Sequence, residues 1–142
     1  MIESIEDVQK LERILKQFDS SSPTSISERV GSLAIYAQKL IKNAYNYCIE
    51  IDNQSIGFIS FYANRSDTAY LSLLAVEENK KNHGIGSYML EYAITVSKEK
   101  GMKRMRLEVH KQNSEAIRFY KKKQFMVECD SGVQALYMIR EL

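Results

Sequence analysis

Residues 70–109 contain a strand, a helix and a second strand in direct succession. The first strand, "YLSLLAV" from Tyr70 to Val76, is almost wholly apolar, which is typical of a central strand covered on both faces. From about residue 84 to residue 100, apolar side chains recur with the spacing of an amphipathic helix. "RMRLEV", from Arg104 to Val109, then alternates apolar and charged residues. A crossover of this length predicts that the two strands are parallel neighbours in one sheet.

The chain before this crossover predicts two helices and two further strands. One helix is expected from Ser4 to Phe18, and "SSSPTS" at 20–25 ends it. A second helix is expected from a Ser25 cap to about Ile41, with Gly31 leaving its boundary open. Alternating segments at 47–51 and 56–62, joined by short polar turns, form an antiparallel meander with the 70–76 strand.

After the crossover, Asn113 is expected to cap a further helix, and a hairpin around residues 130–132 closes the chain. These elements predict an α+β fold: one domain spanning residues 1–142, with a mixed, mostly antiparallel sheet and helices packed on both faces.

Composition excludes several classes of protein. The chain of 142 residues is 44% hydrophobic and 27% charged, as in ordinary globular domains, and its net charge of +2 is too small to favour nucleic acid as a partner. Cys48 and Cys129 lack zinc-site spacing, and we interpret both as reduced, packed thiols. There is no signal-peptide pattern and no apolar run of membrane-spanning length, so we expect a cytoplasmic protein that binds no membrane.

The turn Gly84-Ile85-Gly86 is the strongest candidate for a binding site. It lies at the start of the crossover helix, where the first backbone N–H groups have no partner within the helix and carry partial positive charge. Glycine lets an anion approach that backbone, and Lys80 and Lys81 add positive potential. The turn therefore predicts a phosphate or pyrophosphate site. Taken alone, the Gly-x-Gly motif is explained equally well by a tight turn that needs glycine for its backbone conformation.

Known phosphate motifs do not fit this turn. A P-loop requires Lys and then Ser or Thr after its last glycine, whereas Ser87 and Tyr88 follow Gly86 here. A dinucleotide fingerprint requires a third glycine where Met89 stands. A kinase glycine loop requires later metal-binding aspartate motifs that the chain lacks.

Two segments together resemble the GNAT superfamily of acetyl-CoA-dependent N-acetyltransferases. The phosphate loop of that family corresponds to Lys81-Asn82-His83-Gly84-Ile85-Gly86, with lysine in place of the usual arginine or glutamine. The family's later signature, "Asn-x-x-Ala-x-x-x-Tyr" followed by Gly-Phe, corresponds to Asn113, Ala116, Tyr120 and Gln124-Phe125, with Gln124 in place of the glycine. The resemblance covers residues 46 to about 127 and implies a splayed parallel strand pair at a cofactor cleft.

The resemblance also implies a cofactor site. Acetyl-CoA is the expected co-substrate, with its pyrophosphate on the glycine turn and its pantetheine arm along the central strand, and no metal is expected. The implied contacts are Leu74, Val76, Lys81, Asn82, His83, Gly84, Ile85, Gly86, Ser87, Asn113 and Tyr120. Arg118 and Lys121 to Lys123 are further candidates for nucleotide phosphates, although a lysine run is more often a solvated surface.

Three chemical roles follow from acetyl transfer to an amine. Tyr120 is the expected acid for the departing thiolate, against the alternative of a packed core aromatic. Glu108 is the expected base, against the alternative of a cross-strand ion pair, and Glu77 and Glu78 are fallback bases. The Val76 N–H is the expected oxyanion donor by resemblance.

We expect the acceptor to be the primary amine of a small molecule, held in a closed pocket under the helix that carries Tyr36. The alternatives are a protein N-terminal or lysine acetyltransferase, which "LEV" favours, and an acyl-CoA sensor domain without turnover. The family's frequent dimerisation points to a homodimer through the C-terminal hairpin.

Overall fold

The computed structural model describes residues 1–20, 25–64 and 66–142. The break predicted at 20–25 and the turn at Arg65 therefore lie wholly or partly outside the described residues. In chain order the elements are β1 (Ile2–Ser4), α1 (Val8–Gln17), α2 (Ile26–Val30), α3 (Leu33–Asn43), β2 (Tyr45–Ile51), β3 (Gln54–Tyr62), β4 (Thr68–Val76), a 3₁₀ turn (Glu78–Lys80), α4 (Ile85–Glu99), β5 (Arg104–His110), α5 (Ser114–Lys122), β6 (Met126–Ser131) and β7 (Ala135–Glu141).

The strands form a seven-stranded mixed sheet in the order β1-β2-β3-β4-β5-β7-β6. Among the strands of the described residues, the central pair, β4 and β5, is the only parallel one, and the other pairs are antiparallel. Two hydrophobic clusters lie on opposite faces: α4 and α5 cover one, and α1, α2 and α3 cover the other. The predicted α+β architecture, the meander, the central third strand and the parallel crossover are all confirmed.

The N-terminal third differs from the prediction at two points. Residues 2–4 form an edge strand paired with β2, and of the two predicted cap residues, Ser4 and Asp7, it is Asp7 that caps the first helix by accepting the Gln9 N–H. The second helix is interrupted where Gly31 adopts φ 81°, and Ser32 caps a separate helix from there. A left-handed backbone suits glycine and ends a helix, so this residue marks a boundary and not a helix interior.

A β-bulge lies in the middle of β4. The β3–β4 register passes from Ser60↔Leu73 to Phe61↔Leu71, so Ser72 is an extra residue in β4. The last β4–β5 pair is Leu71↔Leu107, directly before the bulge. A bulge bends its strand and increases its twist. The bend at Ser72 therefore explains why β4 separates from β5 at this point.

A close contact between β3 and α4 sets the height of that helix above the sheet. A Cβ on Gly57 would lie 3.0 Å from Met89 Sδ and 3.3 Å from the Ala75 carbonyl oxygen and from a methyl of Ile85. Gly57 is also paired with Val76, the last residue of β4. Any larger residue at position 57 would push the start of α4 away from the end of β4.

The cysteine prediction is half wrong. Cys48 is buried in β2, whereas Cys129 is exposed on the edge strand β6. β6 is an edge strand that pairs with β7, and its residues from Met126 to Asp130 are all exposed. No described helix is long and apolar enough to cross a membrane.

The C-terminus of α5 is closed by a Schellman motif. The Gln124 N–H donates to the Lys121 carbonyl and the Phe125 N–H donates to the Tyr120 carbonyl, and the rings of Phe125 and Tyr120 pack at 5.5 Å. This motif needs a left-handed residue, and Gln124 occupies it with φ 72°. Glutamine therefore supplies the conformation that the family's glycine supplies more easily.

We expect Gln124→Gly to stabilise the fold by about 1 kcal/mol, since it removes the Cβ strain of a left-handed residue. Gln124→Ala is the matched control, because alanine also lacks the long side chain but keeps the Cβ. Urea unfolding of the three proteins measures the difference. Equal stability of the glycine and alanine variants would contradict this explanation of the motif.

Candidate active site

Two cavities meet where β4 separates from β5. The larger cavity, of about 570 Å³, lies against the end of β4, the start of α4 and one face of α5. The smaller cavity, of about 150 Å³, lies between β4 and β5 and is bordered by α2. Five residues line both cavities: Leu74, Ala75, Asn113, Ala116 and Tyr120. A molecule in the larger cavity therefore reaches the smaller one through the gap between the strands.

The larger cavity contains the predicted glycine turn. Gly84 adopts φ 81° at the cap of α4, and the first helical hydrogen bond runs from the Tyr88 N–H to the Gly84 carbonyl. The N–H groups of Ile85, Gly86 and Ser87 precede that bond and have no acceptor within the helix. A Cβ on Gly86 would point toward Phe119 and Val76, which also line the cavity. The turn therefore presents bare backbone to the cavity, as an anion site requires.

The structure brings nearly all of the predicted cofactor residues to this cavity. The predicted residues that line it are Leu74, Val76, Lys81, Asn82, Gly84, Ile85, Gly86, Ser87, Asn113 and Tyr120. His83 is exposed in the same loop and does not line it. The gap edge of β4 also fits an extended arm, because residues 72–76 and the end of β5 are unpaired with each other among the described residues. Contact of these residues with coenzyme A stays a prediction.

The positive charge of the larger cavity is distributed unevenly. Lys80, Arg118 and Lys122 line it, whereas Lys121 and Lys123 do not. Lys81 also lines it, but its ammonium contacts Glu78 and Glu115, each at 3.3 Å. Burial lowers the pKa of Lys81, but the hydrogen bonds and negative charges of the two carboxylates together outweigh that effect, and the pKa is raised. Lys81 therefore joins the phosphate loop to α5 rather than offering an unpaired charge.

Tyr120 lies at the junction of the two cavities. Its side chain is 9% exposed and packs edge-on against Phe119 and Phe125. Burial raises the pKa of its phenol well above the ordinary value, so the group is neutral at pH 7. Tyr120 is thus both a core aromatic and a lining residue, and the two interpretations of the sequence are not exclusive.

The smaller cavity contains the predicted base, Glu108, on β5. Glu108 points away from the core, pairs across the sheet with Tyr137 and accepts a hydrogen bond from the Ser131 hydroxyl. No cation among the described residues forms an ion pair with it, and Arg106 is paired with Glu128 instead. The predicted alternative of a cross-strand ion pair is therefore wrong for Glu108.

The border of the smaller cavity is α2 and not α3. Ile26 and Arg29 line it from α2, whereas Tyr36 of α3 does not. The Tyr36 hydroxyl instead lies 2.6 Å from Ser72 Oγ, the bulged residue of β4. Burial raises the pKa of Tyr36, so the hydroxyl stays protonated and able to hold this contact. Tyr36 therefore anchors the bend in β4, and the prediction that its helix covers the pocket is wrong.

The remaining candidates are less suited to catalysis. Glu77 and Glu78 line neither cavity; Glu77 accepts a hydrogen bond from Gln17, and Glu78 is paired with Lys81. His110 lines the smaller cavity, but its Nδ1 accepts the Gln112 N–H, which occupies the basic nitrogen of the neutral ring. The described residues contain no group of three or more His, Cys, Asp or Glu arranged for a metal ion.

A bent central strand, a bare helix start and a cleft between parallel strands are the features that the resemblance to the GNAT superfamily predicts. Residues 8–125 match the model of the acetyltransferase (GNAT) family, which is most of the chain. The chain belongs to this family, and the predicted family is confirmed.

Relatives and solved structures agree with this assignment. The uncharacterized protein YxbD of Bacillus subtilis (strain 168) is 32% identical over 77 residues, which are 54% of this chain and 46% of that protein, so the match spans about half of the relative's length. The PaiA N-acetyltransferase of Thermoplasma acidophilum, solved with coenzyme A, superposes with a TM-score of 0.79 at 23% identity, covering 100% of this chain and 99% of that one. The ribosomal-protein-S18-alanine N-acetyltransferase of Escherichia coli superposes with a TM-score of 0.77 at 20% identity, covering 99% and 92%. At these identities the structures show a shared fold.

The position of the Glu108 charge can be tested by measuring the pKa of Tyr70. Burial and then the negative charge of Glu108 raise the pKa of Tyr70 to about 12. Because the folded-state value exceeds the ordinary 10.0, the stability gained from the neutral phenol is present below pH 10 and is lost as the pH rises toward 12.

We expect Glu108→Gln to lower the pKa of Tyr70 while leaving it above 10, because burial remains when the charge is removed. An NMR titration with carbon-13-labelled tyrosine measures it, with Tyr70→Phe used for assignment. Glu128→Gln is the control, since that carboxylate is paired with Arg106. An unchanged Tyr70 pKa in the Glu108 variant, or an equal fall in the control, would contradict the placement of the two groups.

Proposed function

We propose that this protein is an N-acetyltransferase that moves the acetyl group of acetyl-CoA to the primary amine of a small molecule by direct attack. The observation that carries the proposal is the junction of the two cavities at the gap between β4 and β5, with Tyr120 lining both. One cavity fits an elongated anionic donor, and the other fits a small acceptor. Their meeting point is where the two reactants would touch.

The donor is held mainly by backbone. The free N–H groups at the start of α4 bind the pyrophosphate, and the unpaired edge of β4 at Leu74 and Val76 binds the pantetheine arm like an added strand. Asn113 caps α5 through its side-chain oxygen, which leaves its amide N–H₂ free to donate toward that arm. Arg118 and Lys122 supply positive charge for the remaining phosphate.

The reaction is one addition and one elimination. The neutral amine nitrogen attacks the thioester carbonyl carbon, a C–N bond forms, and the oxygen becomes an oxyanion that the Val76 N–H stabilises. The C–S bond then breaks, and the departing thiolate takes a proton from the Tyr120 hydroxyl, which is kept neutral by burial. The excess proton of the amine passes to Glu108, directly or through water, and is released to solvent, while a proton from solvent restores the Tyr120 hydroxyl. The products are the acetamide and coenzyme A.

Glu108 suits the role of base because it is not neutralised by a cation. It lines the smaller cavity, and its hydrogen bond from Ser131 fixes one carboxylate oxygen while the other is free. An alkyl ammonium has a pKa near 10.4, so an acceptor must lose a proton before attack. A carboxylate beside the acceptor draws the ammonium in and then receives that proton.

A small acceptor is favoured over a protein segment because α2 borders the smaller cavity. Ile26 is 3% exposed and closes one side of it. A protein N-terminus or lysine requires a groove that accepts the flanking chain. Such a groove would have to run across α2, which borders the cavity. Acetylation of a protein N-terminus or lysine is therefore the alternative that a library screen tests.

We propose that the protein is cytoplasmic and forms a homodimer. The exposed free thiol of Cys129 suits a reducing compartment. The edge strand β6 and its turn expose Met126, Val127 and Val133, which fits a contact through the C-terminal hairpin.

The proposal is tested by an amine and peptide library with acetyl-CoA, following release of the coenzyme A thiol. Turnover on free amines supports it. Turnover on peptides alone would assign protein acetylation instead. Tight binding of acetyl-CoA without turnover on any acceptor would leave only the sensor function.

We expect Tyr120→Phe to lower kcat by about 100-fold or more while the affinity for coenzyme A changes little, because the phenol acts on the leaving group and not on the phosphates. Tyr88→Phe is the matched control, since Tyr88 is 50% exposed on α4. Steady-state kinetics and calorimetric binding separate the two effects. An unchanged kcat would remove Tyr120 from the mechanism.

A further inference from the structure

Arg29 is a cation on the rim of the smaller cavity that the mechanism does not use. It lies on α2 three residues after Ile26, so both side chains are on the face of the helix that borders the cavity. Arg29 is exposed, and none of the described carboxylates lies within ion-pair distance of it.

Three other arginines among the described residues have carboxylate partners. Arg104 contacts Asp67 and Glu141, Arg106 contacts Glu128, and Arg140 contacts Glu91. These side chains stabilise the sheet and its surroundings. An arginine that has no carboxylate partner and borders a cavity keeps its two-pronged donor face available to a ligand.

The smaller cavity therefore contains one unpaired cation and one unpaired anion. Arg29 borders it from α2, and Glu108 borders it from β5. Both charges affect the pKa of the Tyr70 phenol: Glu108 raises it, and Arg29 opposes that rise. Burial raises the pKa of Tyr36 as well, and the charge of Arg29 opposes that rise. The two charged groups thus share one small volume without neutralising each other in an ion pair.

We propose that the acceptor is a carboxylate-bearing primary amine, an amino acid in the broad sense, whose carboxylate binds Arg29 while its amino group lies at Glu108. This inference rests on the proposed function and specifies its substrate class. A zwitterion satisfies both charges at once, whereas a simple amine leaves Arg29 unpaired and a diamine places a second cation beside it. Leu71, Leu73, Leu107 and Val109 supply an apolar wall for the carbon chain between the two ends.

The test compares acceptors that differ only in the carboxylate. A series of straight-chain ω-amino acids of increasing length is assayed beside the carboxamide of each member. The length series finds the separation between amine and carboxylate that spans the cavity. The measured quantity is the preference ratio, which is kcat/KM for the acid divided by kcat/KM for its carboxamide. We expect this ratio to exceed about tenfold for the best length, because a charge-assisted bidentate contact is lost in the carboxamide.

Three substitutions then assign the preference to Arg29. Arg29→Ala is expected to reduce the ratio at least about tenfold, mainly through KM for the acid, since the residue touches no reacting atom. Arg29→Lys is expected to retain part of it, because the charge remains and the fork is lost. Arg29→Glu is expected to reverse the preference toward diamines. Arg13→Ala, an exposed arginine of α1 that lines neither cavity, is the control.

A binding measurement keeps this inference separate from the proposed function. Thermal shift of the coenzyme A-saturated protein is recorded with the same ω-amino acids. A shift that Arg29→Ala abolishes and Arg13→Ala retains supports the anion subsite even if no acceptor is acetylated, in which case the proposed function fails alone. Equal turnover of acids and carboxamides, equal losses in both arginine variants, or turnover confined to peptides would overturn the inference while leaving acetyl transfer intact. Absence of both a shift and an acid preference would also overturn it.

Discussion

The extra residue at Ser72 is the feature on which the rest of the site depends. A regular β4 would continue its parallel pairing with β5 and leave no room between the strands. The bulge ends that pairing at Leu71↔Leu107 and bends the strand, and the Tyr36 hydroxyl holds Ser72 at 2.6 Å in the bent position. Both cavities exist because of this separation: one lies beyond the end of the gap, and the other lies within it.

In the proposed function, donor and acceptor are recognised by different parts of the chain, with the larger cavity as the donor cavity and the smaller cavity as the acceptor cavity. The donor cavity presents mainly backbone, which requires glycine at two positions and a helix start but few particular side chains. Gly57 contributes indirectly, because its missing Cβ lets α4 approach within contact distance of the end of β4. The acceptor cavity presents side chains from α2, β4 and β5, and these determine its charge.

Local signals in the sequence were sufficient for most of the fold. The change from helical to alternating periodicity predicts the antiparallel meander, and the length of the crossover predicts that β4 and β5 are parallel. The Asn113 cap was predictable because its side chain bonds a backbone N–H three residues later, which is a purely local interaction. Gly31 was ambiguous for a physical reason: only its φ of 81° distinguishes a helix break from a weak helix residue. The edge strand Ile2–Ser4 was missed because three residues carry no periodicity and gain order only by pairing with β2.

The missed features of the site depend on contacts between distant segments. Ser72 is an ordinary polar residue in its own strand, and its role follows from the register with β3 and from the hydroxyl of Tyr36. Arg29 carries no motif, and its position at the acceptor cavity follows from how a five-residue helix packs on β4 and β5. Lys81 matched a motif position, but its two ion pairs with Glu78 and Glu115 were not foreseeable from spacing alone.

Backbone-amide hydrogen exchange, recorded by NMR with and without coenzyme A, tests the account most directly. Bound coenzyme A is expected to slow exchange of the amides of Ile85, Gly86 and Ser87 and of the gap-facing amides among residues 74–76. The amides at the start of β6, residues 126–128, are the internal reference, because β7 separates β6 from β5 and these residues line neither cavity. If coenzyme A binds but the amides at the start of α4 and the end of β4 exchange as fast as before, the proposed cofactor site is contradicted. A protein that does not bind coenzyme A at all contradicts it as well.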